Sequence, residues 1–313
     1  MGNPEQGNQT SITEFVLRGF GTLPELHLLL FLLFFIIYII TMAGNVLIVV
    51  LVVADQHLHT PMYFFLGNLS CLETCYTTTI LPRMLASLLT EDWTISFNAC
   101  ITQYYFFGSL AGTECLLLSV MSYDRYLAIV KPLHYAARMT GRSCLQLAVG
   151  SWVGGFLGSS ITTVLISQLT FCGLNVIDHF FCDFYPIVKL SCNDPQLMET
   201  LAFTLCLIFS LVPFLLTVMS YMSIIATILR IPSTTGRQKA FSTCSSHLTV
   251  VSIFYGTIII TYMFPTTKPL RDFKKVISVL YTVLTPLVNP LVYSLRNKKV
   301  KQALRKACRT CRF

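Results

Sequence analysis

From residue 26 to residue 53 the chain contains no Asp, Glu, Lys or Arg. About 20 consecutive apolar residues suffice to cross a hydrocarbon core of roughly 30 Å. Six further stretches are long and mostly apolar, at 61–81, 97–130, 144–166, 197–229, 241–264 and 276–295. Inside lipid only helices and closed barrels satisfy every backbone group, and a barrel would show short alternating strands instead of continuous apolar runs. The pattern therefore predicts an all-α membrane protein, a bundle of seven transmembrane helices. Charged residues make up 12% of the chain, against roughly 25% in soluble domains. What lies between the spans is too short for a soluble catalytic domain of about 100 residues.

Basic residues orient the bundle. The segments after spans one, three, five and seven, with the adjoining helix ends, hold 15 of the 22 Lys and Arg, and their acids are Asp55 and Asp124. That face is cytoplasmic, so the N-terminus lies outside and the C-terminus inside. The net charge of +8 is then a topology signal, and no nucleic-acid partner is needed to account for it. Three regions follow: an extracellular segment 1–24, a bundle 25–296, and a cytoplasmic tail 297–313. The first 24 residues lack the apolar core of a cleavable signal peptide, so the first span is expected to act as its own signal. Asn8 opens a glycosylation sequon on the outer side. In the tail, Val300, Ala303, Leu304 and Ala307 share one helical face and Lys and Arg cover much of the rest, the pattern of a short amphipathic helix held by anionic membrane lipids.

Twelve cysteines divide by depth. Six lie in or beside spans, where a small buried residue is the ordinary reading. Cys308 and Cys311 are free thiols or palmitoylation sites. Cys100, Cys172, Cys182 and Cys192 face the oxidising side and allow three pairings, among which sequence alone does not choose.

Ionisable groups at membrane depth are costly and mark function. Tyr104, Phe107, Ala111, Glu114, Leu118, Met121 and Arg125 recur at helical spacing, so one stripe of span three carries an aromatic outer end, a central acid and an inner base. Tyr104 and Arg125 stand about 31 Å apart along the axis. Glu73 is the second central acid. Two carboxylates in low dielectric either share a proton or hold a cation between them, and Asn45 and Asn289 could add oxygens. A bound sodium ion is one expectation, a protonated hydrogen-bonded pair the other.

Several motifs appear in order, each in its expected span: Gly44-Asn45, Pro61-Met62-Tyr63-Phe64-Phe65-Leu66, Met121-Ser122-Tyr123-Asp124-Arg125-Tyr126, Ser220-Tyr221, the run from Lys239 to Leu248, and Asn289-Pro290-Leu291-Val292-Tyr293. Together the set resembles vertebrate olfactory receptors of the tetrapod type, a branch of the rhodopsin-like G-protein-coupled receptors. The resemblance implies a Cys100–Cys182 disulfide, which leaves Cys172 with Cys192. It puts Glu73 and Glu114 at the family's acidic sodium positions. It implies a cytoplasmic switch of Asp124, Arg125, Tyr126, Tyr221, His247, Asn289, Pro290 and Tyr293 that opens for a stimulatory, olfactory-type G protein and raises cyclic AMP. Plasma-membrane residence in sensory cilia and the absence of any enzymatic cofactor follow from the same likeness. Departures are small: Val130 stands where a cysteine is common and Ser122 where alanine is. Phe254-Tyr255-Gly256 replaces the Trp-Pro hinge of rhodopsin-like receptors generally.

On this reading an odorant enters an outer cavity lined on one side by Tyr104, Phe107, Gly108, Ala111 and Gly112. The other side is formed by Phe209, Tyr255, Ile258, Ile259 and Tyr262, with Thr282 as a further hydrogen-bonding group. The outer half of span three offers no Asp or Glu to a cationic ligand, and the outer halves of spans three, five and six no Arg or Lys to a carboxylate, so a small, neutral, largely apolar ligand is expected. The rival function is an ion channel or transporter using the Glu73/Glu114 pair; the lack of paired broken helices in the two halves speaks against it. An enzyme is excluded on other grounds, since the six histidines are scattered and no convergent catalytic set appears.

Overall fold

The computed structural model describes residues 13–19, 24–171, 175–192, 196–263, 268–296 and 298–310. Asn8, Cys172 and Cys311 lie outside them, as do the side chains of Tyr293, Ala307 and Cys308. Seven spans form the bundle: Pro24–Ala54, Pro61–Thr90, Phe97–Val130, Gly141–Ser167, Gln196–Leu229, Thr234–Met263 and a seventh in three pieces, Lys268–Val279, Leu280–Leu284 and Thr285–Arg296. Local signals set several starts. Pro61 opens span two, where its missing N–H costs nothing. Ser96 accepts a hydrogen bond from the Ala99 amide and Thr140 one from the Ser143 amide, at 3.3 Å each.

Six of these helices are long and apolar enough to cross a membrane. Span two is the exception, because it is rich in hydroxyls and carries Glu73 and Arg83. Its threonines satisfy themselves: Thr74, Thr77 and Thr78 each donate to the carbonyl four residues back, at 2.6–2.8 Å. Large apolar side chains on spans one, four and five stay exposed, Leu28, Ile36, Leu157 and Met219 among them. They form the surface that lipid covers.

Two features depart from the sequence-based expectation. Span two does not stop before Pro82 but continues to Thr90 and ends on Glu91 in the left-handed region at φ 58°; helix interiors in membranes tolerate proline because neighbours satisfy the freed carbonyl. The purely helical picture also omits a small outer sheet. Its three strands are β1 (Glu14–Leu17), β2 (Thr94–Ser96) and β3 (Val176–Ile177), with β1 in the middle, antiparallel to β2 and parallel to β3. Strands of two to four residues carry too little periodicity to read. Phe15 is fully buried beneath this sheet and packs on Phe97 and Phe171 at 6.0 and 5.3 Å between ring centres.

The Cys100–Cys182 disulfide pins the long outer loop to the start of span three, with 5.5 Å between Cα atoms. Cys192 is also disulfide-bonded. On the inner side the helix Lys298–Thr310 buries Val300 and Ala303 against the bundle, and its Lys306 Nζ lies 3.9 Å from Asp55. Its apolar face is thus covered partly by protein, while Lys299, Lys301, Arg305 and Lys306 stay exposed.

Replacing Phe15 with Ala removes a large aromatic from a dry site, a change worth about 3–5 kcal/mol in a rigid core. The expected outcome is faster amide exchange across 14–17 and 94–96, with protection in the centre of span three unchanged. Hydrogen-exchange mass spectrometry on the purified protein measures both.

Candidate functional site

Three polar layers lie along span three. The outermost is a cavity of about 210 Å³, smaller than the roughly 300–1,000 Å³ of drug-sized pockets. Tyr104, Phe107, Gly108, Ala111 and Gly112 line one wall, and Phe209, Ile258 and Tyr262 another. Eight of the eleven residues suggested by sequence therefore meet in one place. Tyr255, Ile259 and Thr282 do not reach it. The Tyr255 hydroxyl donates to the Cys115 carbonyl at 2.8 Å, tying span six to span three where Cys115 itself borders the cavity. Thr282 turns back on its own helix and donates to the Ser278 carbonyl at 2.7 Å.

Sequence reasoning missed the wall formed by span four. Gly155, Gly158, Ser159 and Thr162 of span four line the cavity too. A Cβ on Gly158 would come within 2.7 Å of the Phe209 ring, and one on Gly108 within 2.9 Å of the Ser159 hydroxyl. The glycines thus let ring and backbone approach where any side chain would fill the space. Thr162 receives the Tyr104 hydroxyl at 2.9 Å.

Phe209 owes its position to a π-helical turn, Leu207–Leu211, followed by Pro213. Proline removes one helical donor and crowds the carbonyl four residues back, here that of Phe209, and a widened turn relieves both. Span seven repeats the device: the π-turn Leu280–Leu284 precedes Pro286. The Pro286 carbonyl then accepts from Asn45 Nδ2 at 3.1 Å. The prolines were the available signal for both turns.

The outer loop adds the remaining wall with Asp183, Phe184 and Tyr185, and exposed Glu199 sits at the rim. Asp183 caps a short helix, Phe184–Val188, accepting from the Phe184 amide at 2.8 Å and from the Tyr262 hydroxyl at 3.1 Å. Burial pushes its carboxyl up to about 6 despite those two donors. His179, four residues earlier, is pushed down to about 3 by burial and then by the nearby Lys275 ammonium. Lys275 is itself held by Asp178 at 2.6 Å.

The middle layer is the acid pair. Glu73, Glu114, Asn45 and Asn289 are all buried, and the Asn289 amide donates to Glu73 Oε1. Among the described residues four oxygens of this layer have no hydrogen-bond partner: Glu73 Oε2, Glu114 Oε1, Asn45 Oδ1 and Asn289 Oδ1. Orphaned oxygens of this kind suit a hard cation.

The inner layer is closed. Arg125 Nη2 pairs with Asp124 Oδ2 at 2.9 Å, while Asp124 Oδ1 accepts from the Tyr135 hydroxyl at 2.8 Å. The Tyr221 hydroxyl meets His247 Nδ1 at 2.6 Å, with the two rings stacked, so spans five and six are latched together. Tyr126 packs against the apolar cluster of Tyr221, Ile224, Ile228 and Cys244. Pro290 is buried in span seven.

Comparison with known proteins finds relatives over nearly the whole chain. The family model described as olfactory receptor matches residues 34–310. Human olfactory receptor 6P1 is 51% identical over 94% of this chain and 93% of its own length. Human olfactory receptor 11A1 is 50% identical and mouse olfactory receptor 6B9 49% identical, each over 96% of this chain and 95% of its own length.

The two shifted loop groups oppose each other in acid. A histidine with a lowered folded pKa contributes stability above its unfolded pKa near 6.5, and that contribution is lost as pH falls. Asp183, raised from about 3.8 to about 6, favours the fold at low pH and loses that contribution as pH rises through this window. Relative to the unsubstituted chain, Asp183→Asn should therefore steepen the fall in melting temperature between pH 6.5 and 4. His179→Gln should turn the slope the other way. Thermal melts of the detergent-solubilised protein across this range measure both.

Proposed function

This chain belongs to the olfactory receptor family, a family of non-enzymatic membrane receptors, and from that premise we propose how it works. It binds a small, neutral, hydrophobic volatile in the outer cavity and activates a stimulatory, olfactory-type G protein, raising cyclic AMP from the plasma membrane of sensory cilia. One observation carries the reading: a single continuous helix, Phe97–Val130, has the cavity at its outer end and the Asp124–Arg125 pair at its inner end.

The signal is a shift in population between two packings of the bundle. Ligand seated against Ile258 and Tyr262 of span six competes with the packing that holds Tyr255 on the Cys115 carbonyl. Movement of span six then strains the Tyr221–His247 latch and frees Arg125 for the G protein. A ligand needs about a 10⁴-fold preference for the open packing to carry a 1:99 mixture to 99:1. The small cavity makes that preference a matter of fit. A sodium ion among Glu73, Glu114, Asn45 and Asn289 would stabilise the closed packing by offsetting one of the two negative charges that the buried carboxylates bring together.

Two measurements test these roles in cells carrying a cyclic-AMP reporter. Arg125→Ala should abolish the response to any agonist while surface delivery, read by antibody, persists; a full response removes the proposed switch. Glu114→Gln should lose any dependence of agonist potency on sodium concentration, whereas an unchanged salt response returns the pair to a shared proton.

A further inference from the structure

The cavity wall contains one charged group that is buried and incompletely bonded. Asp183 is only 5% exposed. Both of its hydrogen bonds, from the Phe184 amide and the Tyr262 hydroxyl, fall on Oδ1. Among the described residues Oδ2 has no hydrogen-bond partner, and the residue lines the cavity. Its position is fixed from three directions. The preceding Cys182 is held by the disulfide to Cys100 and by its own amide, which donates to Gln103 Oε1 at 2.9 Å. Asp183 itself caps the helix that follows. Tyr262, which reaches it from span six, also exchanges a hydrogen bond with Tyr281 at 3.1 Å.

We propose that Asp183 Oδ2 is the polar anchor of the cavity and that it selects small apolar ligands bearing one hydrogen-bond donor, a hydroxyl, over isosteres that only accept. The inference rests on the reading of this cavity as the odorant site and names its ligand class.

An ionised carboxylate oxygen accepts and cannot donate. With its carboxyl pushed up to about 6, Asp183 is ionised at neutral pH. A ligand hydroxyl gains a charge-assisted hydrogen bond there. A ketone or ether oxygen at the same place faces a second acceptor and leaves both desolvated and unpaired, the arrangement that gives binding sites their strongest discrimination. The other groups acting on this carboxylate are accounted for. Lys274 opposes its charge, so a neutral donor suffices without a ligand cation. Tyr104, Tyr76, Tyr281 and Cys206 are the neutral groups around it. Glu199 is exposed at the rim, where water screens it.

The test uses three volatiles of equal chain length, a primary alcohol, its methyl ketone and its methyl ether, on the full-length receptor and on Asp183→Asn. Asparagine caps a helix as well as aspartate does and keeps an oxygen for Phe184 and Tyr262, but presents an NH₂ where Oδ2 stood. The unsubstituted receptor should prefer the alcohol by on the order of tenfold to a hundredfold in half-maximal concentration, the range set by one hydrogen bond to a charged group. Asp183→Asn should erase or invert that order, the ketone gaining as the alcohol loses. Should the asparagine variant fail to reach the surface, Asp183→Ser, a second good capping residue, carries the same comparison and should erase the preference. Equal potencies in the unsubstituted receptor, or a parallel loss for all three compounds in a delivered variant, overturn the anchor but leave the cavity reading standing. Silence towards every volatile class from a delivered, unsubstituted receptor overturns the cavity reading itself. A matched primary amine more potent than the alcohol overturns the selection of a neutral donor.

Discussion

Hydrocarbon offers no hydrogen bonds, and most of this structure follows from that one deprivation. Every backbone amide and carbonyl in the spans must find its partner inside the protein, and the side-chain hydroxyls of span two do so on their own helix. Against that background an unpaired polar atom is conspicuous, because it cannot be excused by nearby water. The unpaired oxygens of Glu73, Glu114, Asn45 and Asn289 and the half-used carboxylate of Asp183 are therefore where the molecule has room for something it does not itself contain.

Room has to be made, since helices otherwise pack to the density of a crystal. Two devices make it. Glycines on the facing sides of spans three and four remove side chains where Phe209 and Ser159 approach. Proline-induced π-turns in spans five and seven shift the residues within and after them, which brings Phe209 to the cavity and offers the Pro286 carbonyl to Asn45. Each device gives up regular helix geometry for position. They occupy the outer and middle layers, whereas the inner layer is held by ion pairing and ring stacking, the Asp124–Arg125 contact and the Tyr221–His247 latch. On the proposed mechanism, relaying a signal means exchanging packing at one end for polar contacts at the other.

The seven spans were legible because apolar runs of this length have one interpretation in lipid, and span three begins and ends at Phe97 and Val130, where its pattern does. The acid pair was legible because carboxylates are rare at that depth. Tyr255 and Thr282 were misplaced relative to the cavity because helical spacing gives a face but not which neighbour the face meets; one turns to Cys115 and the other back to Ser278. Asp183 could not be assigned to the cavity from sequence. It belongs to a loop, and loops have no period to place them; only the disulfide beside it and the helix it caps bring it over the opening.

The outer sheet has a consequence for biosynthesis. Its central strand at residues 14–17 is exported with the first span, yet Val16 pairs with Val176, which follows the fourth span. At synthesis rates of about 5–20 residues per second, the leading segment waits roughly ten to thirty seconds in the lumen with that edge open. The outer sheet is therefore completed only after the fourth span has been made, with half the bundle already in the bilayer.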